Sequence, residues 1–253
     1  MAATTGYERP MTYDETRSPT VLLPLLGTSV ERLLASAADL DDDDVRAPSR
    51  LPGWSRAHVL THIARSADSR IRLLTAARTG ADLPQYRDEA QRAREIEEGA
   101  GRRAAELADD LGAALHGFLR AAESQPEHTW DVPVRWLGGG LRPVRGTVRS
   151  MLREVEVHHT DLATGHRPTD WPPCLVEREL AHTAETLNDR PDAPAMALLA
   201  DEDQVLRQVG DGGGPRLSGP AAELLGWLTG RTDGTVLTVD PPGPLPTVPA
   251  WRS

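Results

Sequence analysis

Along several long stretches of the chain the apolar positions recur every three or four residues, the period of a helix that buries one face. From Pro19 to Leu40 the stripe is Leu23, Leu26, Val30, Leu33, Leu34 and Ala37. A second helix is predicted after Pro52-Gly53, with Trp54 and Ser55 at its mouth. It runs through HVLTHIARSADSRIRLLTAAR to Gly80, where glycine is a natural stop. RRAAELADDLGAALHGFLRAAES predicts a third, with Leu107, Leu111, Leu115 and Phe118 inward, and a fourth extends from about Arg145 to Thr164, before Gly165. Between them, DLDDDDVRAPSRLPG is expected to hold Asp42 to Asp44 in a solvated turn, and residues 81–100 to form a polar connection with some helix. TWDVPVRWLGGGLRPV breaks the helical period and suggests a hairpin, or a loop packed over the helices. Four helices in sequence predict an up-and-down bundle with irregular crossovers.

The pattern changes at the proline-rich GHRPTDWPPC, which reads as a domain boundary. Beyond it the expectations are a helix over Leu175–Leu187, strands at Ala195–Leu199 and Val205–Val209, a helix over Pro220–Gly230, and a last strand in TVLTV. The PPGPLPTVPAW tail should be extended. The organisation expected is thus a flexible arm over 1–18, a helical bundle over 19–165 and a small α+β domain over 166–253.

Composition narrows the function classes. The 253 residues carry a net charge of −10, which argues against nucleic acid as a partner, because phosphate binding needs a basic surface. No run of eighteen apolar residues is present, so no membrane span is expected. Nor does the N-terminal stretch show the basic and apolar regions of a secretory signal. The single cysteine, Cys174, rules out an internal disulfide and fits a reducing compartment. A soluble cytoplasmic protein is expected.

The candidate chemistry lies in REVEVHHTDL, Arg153 to Leu162. On a helix Glu154 and His158 share a face, and Asp161 follows three residues later, whereas Glu156 and His159 fall on another face. The second helix carries His58 and His62, also four apart. Facing helices of a bundle can build a metal site, and two histidines with one carboxylate suit zinc while leaving a position open. Such spacings also arise by chance, in which case these histidines serve packing alone. They leave open whether His58 or His62 takes part, although His62 neighbours the buried stripe of Leu60, Ile63, Ala67, Ile71 and Leu74.

LPGWSRAHVLTHIARSADS followed by REVEVHHTDL resembles the mycothiol-dependent maleylpyruvate isomerase family, whose N-terminal bundle is DinB-like. LTGRTDG, in the C-terminal part, resembles that family's Gly-Arg segment. The resemblance implies zinc ligands at His62, Glu154 and His158, with His58 near the site but not a ligand. Asp161 would be an outer hydrogen-bond partner of a ligand histidine. Glu156 and His159 fall at variable places, Glu156 solvated or paired with an arginine, His159 packed or exposed. Arg231 would grip a substrate carboxylate; read without the resemblance, it is an arginine placed by the dipole at a helix C-terminus.

The activity implied is that of a mycothiol-using zinc enzyme. A zinc-held thiolate adds to the cis double bond of maleylpyruvate, the bond rotates, and the thiolate leaves as fumarylpyruvate forms. Thiol S-transfer would use the same site. Residues 81–100 and 130–142 are expected to line the pocket, and Cys174 to be a bystander. Two other readings stand beside this one: a non-catalytic zinc-binding sensor or scaffold, and a metal-free structural protein.

Overall fold

The structure, a computed structural model, describes residues 18–138, 140–201, 205–211 and 213–251. The arm expected over 1–18 lies outside these residues apart from Ser18. The described residues fall into two compact units, one ending at His166 and the other beginning at Arg167.

In the first unit, helix α1 (Pro19–Ala38) opens with proline at its first position, where the missing N–H costs nothing. A short α2 (Asp42–Arg46) leads into α3 (Arg56–Thr79), α4 (Glu89–Ala100), α5 (Ala104–Glu123) and α6 (Gly146–Asp161). Helices α1 and α3 each pack against both α5 and α6, so these four close a bundle. Leu26, Leu33, Leu60, Ile63, Leu73, Leu111, Phe118 and Met151 are among the side chains sealed in its core. By length and composition α1 is apolar enough to cross a membrane. Its apolar stripe, Leu22, Leu26, Val30 and Leu33, is buried in the bundle.

Two boundaries differ from the sequence expectation. Asp42 to Asp44 lie at the surface, as expected, but they form the first turn of α2 and not a non-helical turn. Asp41 accepts hydrogen bonds from the amides of Asp43 and Asp44, and the Asp44 carboxylate accepts one from the Asp41 amide. Three carboxylates then sit at the positive end of the helix dipole. Asp42 also accepts from the Ala104 amide at 2.7 Å, which ties α2 to the start of α5. Helix α6 stops at Asp161, short of Thr164, because the chain turns left-handed at Ala163 (φ 56°).

The start of α3 matters for the site. Ser55 caps the His58 amide, and His58 Nδ1 accepts from the Ser55 amide at 3.2 Å, a capping box with histidine in the usual place of glutamate. Gly80, at φ 72°, ends the helix. Residues 81–100 contain α4, which lies on α3 through Ile96 and Gly99; a Cβ at Gly99 would overlap the Thr61 side chain. The hairpin expected before α6 is present: β1 (Pro133–Arg135) pairs antiparallel with β2 (Leu141–Pro143), Val134 opposite Arg142.

The second unit holds a 3-10 turn (Pro168–Asp170), α7 (Pro173–Asn188), β3 (Met196–Ala200), β4 (Val205–Val209), β5 (Arg216–Gly219), α8 (Ala221–Leu228) and β6 (Thr238–Asp240). The sheet runs β4-β3-β5-β6, with β3 and β5 parallel and the outer pairs antiparallel. Strand β5 was not predicted: four residues after a glycine run carry no usable alternation. The last strand starts at Thr238 and not Thr235. Asp233 accepts from the Thr235 amide and Gly234 from the Leu237 amide, so the intervening residues are held in turns.

Candidate metal centre

Adjacent helices α3 and α6 bring His62, Glu154 and His158 together. Glu154 and His158 are one turn apart on α6, and His62 faces them from two turns into α3. His62 Nε2 lies 3.0 Å from Glu154 Oε2 and 3.1 Å from His158 Nε2, and His158 Nε2 lies 3.5 Å from the same carboxylate oxygen. One ligand atom from each residue fits within 4.8 Å of the others, and all three side chains are buried. The imidazoles meet edge to face, 4.6 Å between centres. Two imidazole nitrogens and one carboxylate oxygen aimed at a common point are a donor set that suits zinc with a position to spare.

Partners behind the three residues fix their protonation. Asp161 Oδ2 lies 2.9 Å from His158 Nδ1; the carboxylate can only accept, so a proton sits on Nδ1 and Nε2 is the ring nitrogen turned to the centre. Glu154 rests on the buried Arg70, whose Nη2 donates to Oε1 at 3.2 Å, while Ser66 Oγ donates to Oε2 at 3.2 Å. Arg70 is itself held by the Ser66 carbonyl and Ser150 Oγ. Burial alone would raise the Glu154 carboxyl, but the Arg70 charge and the hydrogen bonds from His158 and His62 outweigh it and hold it well below the usual carboxylate range. Burial, with the nearby charges of His158 and Arg92, pushes His62 down to about 4 against the opposing pull of Glu154. For His158 burial is outweighed by the bonds to Asp161 and Glu154, and its pKa is raised.

A family model of the mycothiol maleylpyruvate isomerase N-terminal domain matches residues 26–163, more than half of the chain. The chain belongs to the mycothiol maleylpyruvate isomerase family. A second model of that family, the MDMPI C-terminal domain, matches residues 170–250. Two crystal structures of a mycothiol-dependent maleylpyruvate isomerase, one of them a variant with a histidine replaced by alanine, superpose with TM-scores of 0.88. Each is 22% identical in sequence and covers 95% of this chain and 100% of its own, a likeness of fold. No curated protein matches the chain in a direct sequence search.

Within this family frame the remaining candidates sort by position. His58 is not in the cluster: its Nδ1 belongs to the capping box, its Nε2 lies 3.4 Å from Glu97, and its ring stacks on Trp54. Glu156 is not solvated. It is buried on the opposite side of α6, bonded to Ser29, to Arg32 at 2.8 Å and to His166 at 2.8 Å, because α1 covers that face. The arginine pairing expected for it is present in Arg32. His159 is packed, its ring 4.0 Å from that of His166 and its Nε2 2.8 Å from Ser36 Oγ. In the second unit Arg231 is buried, donates to the Thr229 carbonyl at 2.6 Å and lies 4.8 Å over the Trp251 ring. Burial raises the Cys174 thiol, which disfavours a thiolate there.

Sequence reasoning missed Ser66, Arg70 and Arg92. The first two follow His62 at steps of four, so one face of α3 carries the ligand, the hydroxyl and the guanidinium in line. Arg92 had no such signal, since it comes from α4.

Proposed function

We propose that this protein is a zinc-dependent, mycothiol-using enzyme that isomerises maleylpyruvate to fumarylpyruvate. The observation that carries this reading is the convergence of His62 Nε2, Glu154 Oε2 and His158 Nε2 at one buried point. Bound there, zinc would keep a thiol cofactor as its nucleophilic thiolate at neutral pH.

The chain's own residues have distinct tasks in this account. His62, Glu154 and His158 are the metal ligands, and three protein ligands leave a place for the sulfur. Asp161 keeps the proton of His158 on Nδ1, so that Nε2 stays available. Arg70 and Ser66 keep Glu154 ionised and turned toward the centre. The Trp54 ring packs beside that of His62, 5.5 Å between centres, and helps hold the ligand in place. Arg231 has the carboxylate-gripping role that the family resemblance gives it. Thiol S-transfer would use the same residues and differ only in whether the sulfur leaves again. A reducing, cytoplasmic setting agrees with a free-thiol cofactor.

The test is to follow maleylpyruvate by chromatography with zinc-loaded protein and mycothiol. Conversion to fumarylpyruvate that requires both, and is lost in His158→Ala, is expected. Protein that binds zinc and mycothiol yet yields no product would contradict the isomerase reading.

A further inference from the structure

Arg92 stands over the metal centre from outside the two helices that build it. On α4 it shares a face with Ile96 and Gly99, four and seven residues on, and that face is the one laid against α3. Its Nη2 comes to 3.0 Å from His62 Nδ1. A guanidinium has donors only, so in this contact Nδ1 accepts and the His62 proton sits on Nε2, 3.0 Å from Glu154 Oε2. A metal on Nε2 needs the lone pair there and moves the proton to Nδ1. Two donors would then face each other across 3.0 Å. The Arg92 contact and the metal therefore ask for opposite tautomers of His62.

Neighbouring guanidiniums on α3 are committed to oxygen acceptors. Arg65 bonds Asp110 at 2.6 Å, Arg70 bonds Glu154 and Ser150, and Arg72 bonds the Gln85 carbonyl at 3.0 Å. Arg92 has no carboxylate partner among the described residues; its other neighbour is the Tyr86 ring, 5.8 Å away, an aromatic face on which a displaced guanidinium can rest. Resting on the metal reading of the site, we propose that Arg92 is a substrate-binding residue: displaced from His62 Nδ1 when Nε2 takes a metal, its guanidinium holds a carboxylate of the anionic substrate, one imidazole ring away from the metal. Metal uptake thereby creates the anion site, and an apo-protein should bind dicarboxylates poorly. The bidentate fork of arginine suits this role where lysine does not.

The experiment is calorimetric titration of maleate, a cis-dicarboxylate without the reactive keto group, into wild type, Arg92→Gln and Arg92→Lys, each with and without zinc. Zinc-loaded wild type should bind maleate about tenfold more tightly than zinc-free wild type or zinc-loaded Arg92→Gln, as for loss of one charge-assisted bidentate pair. Arg92→Lys should fall between. Arg92→Gln should still take up zinc, at equal or higher affinity, since the competing contact on His62 is gone; that uptake also reports a folded site, and Arg92→Lys carries the same comparison if the glutamine variant does not fold. Wild type and variants that bind zinc and then take up maleate equally would overturn the role of Arg92 alone. Wild type that takes up no zinc would overturn the metal reading, and this inference with it.

Discussion

Glu154 and Glu156 are two residues apart on α6 and are both buried, yet they face opposite ways: one toward His62 and His158, the other toward Ser29, Arg32 and His166. Glu156→Gln should therefore leave zinc stoichiometry intact while destabilising the fold by about 1–3 kcal/mol, the cost of a buried hydrogen-bond network left part-satisfied. Urea unfolding beside metal analysis checks this, and loss of zinc in Glu156→Gln would mean that the wrong glutamate has been assigned. Asp161→Asn should weaken zinc binding about 10–100-fold, with His158 still in place, because the amide cannot hold the imidazole proton on Nδ1 as firmly. Competition with a chromophoric chelator measures it. The spacing of four in Glu154–His158 made that pair legible before the fold was known. The partners of Glu156 were not, because Ser29 and Arg32 belong to α1 and His166 lies beyond the end of α6.

At the level of elements, α4 depends on one close approach. Gly99→Ala drives a methyl group into Thr61, the residue beside His62, and should cost about 1–3 kcal/mol by overpacking. Its effect on hydrogen exchange should be concentrated in α4 and the first half of α3; exchange unchanged in α4 would mean that this packing does not hold the helix. The four bundle helices could be read from their periodicity, with ends correct to a few residues. What could not be read was set by hydrogen bonds and not by hydrophobic pattern: the Asp41 cap that makes α2 a helix, the left-handed Ala163 that ends α6, and the brief β5 between glycine-rich turns. Arg92 belongs to the same class, since only the fold brings α4 over His62.

Across the whole molecule, acid and metal should act through the bundle. His62 has a folded pKa of about 4 against 6.5 for the free side chain, so between these values the unfolded chain takes up a proton that the folded one does not. Its contribution is present above pH 6.5 and is lost as the pH falls through 4. At pH 5 the loss for this one group is about 2 kcal/mol, from about 1.4 kcal/mol per pKa unit. His158 works the other way: its raised pKa adds stability below 6.5 that disappears as the pH rises through its folded value. Comparing metal-stripped wild type with His62→Gln at pH 7.5 and pH 5 isolates the His62 part. Wild type should lose ground to the variant in acid, and a difference independent of pH would contradict the buried neutral imidazole. Zinc at about a hundred times its dissociation constant should add about 2.7 kcal/mol. Hydrogen exchange should locate that gain in α3 and α6.

The most direct test of the central claim is zinc analysis of the protein as purified, beside His158→Ala, with mycothiol titrated into each by calorimetry. The account predicts about one zinc per chain and measurable mycothiol binding in the wild type, and loss of both in the variant. Wild-type protein that carries no metal and has no affinity for the thiol would contradict it, and His62, Glu154 and His158 would then be a buried hydrogen-bonded cluster without a catalytic role.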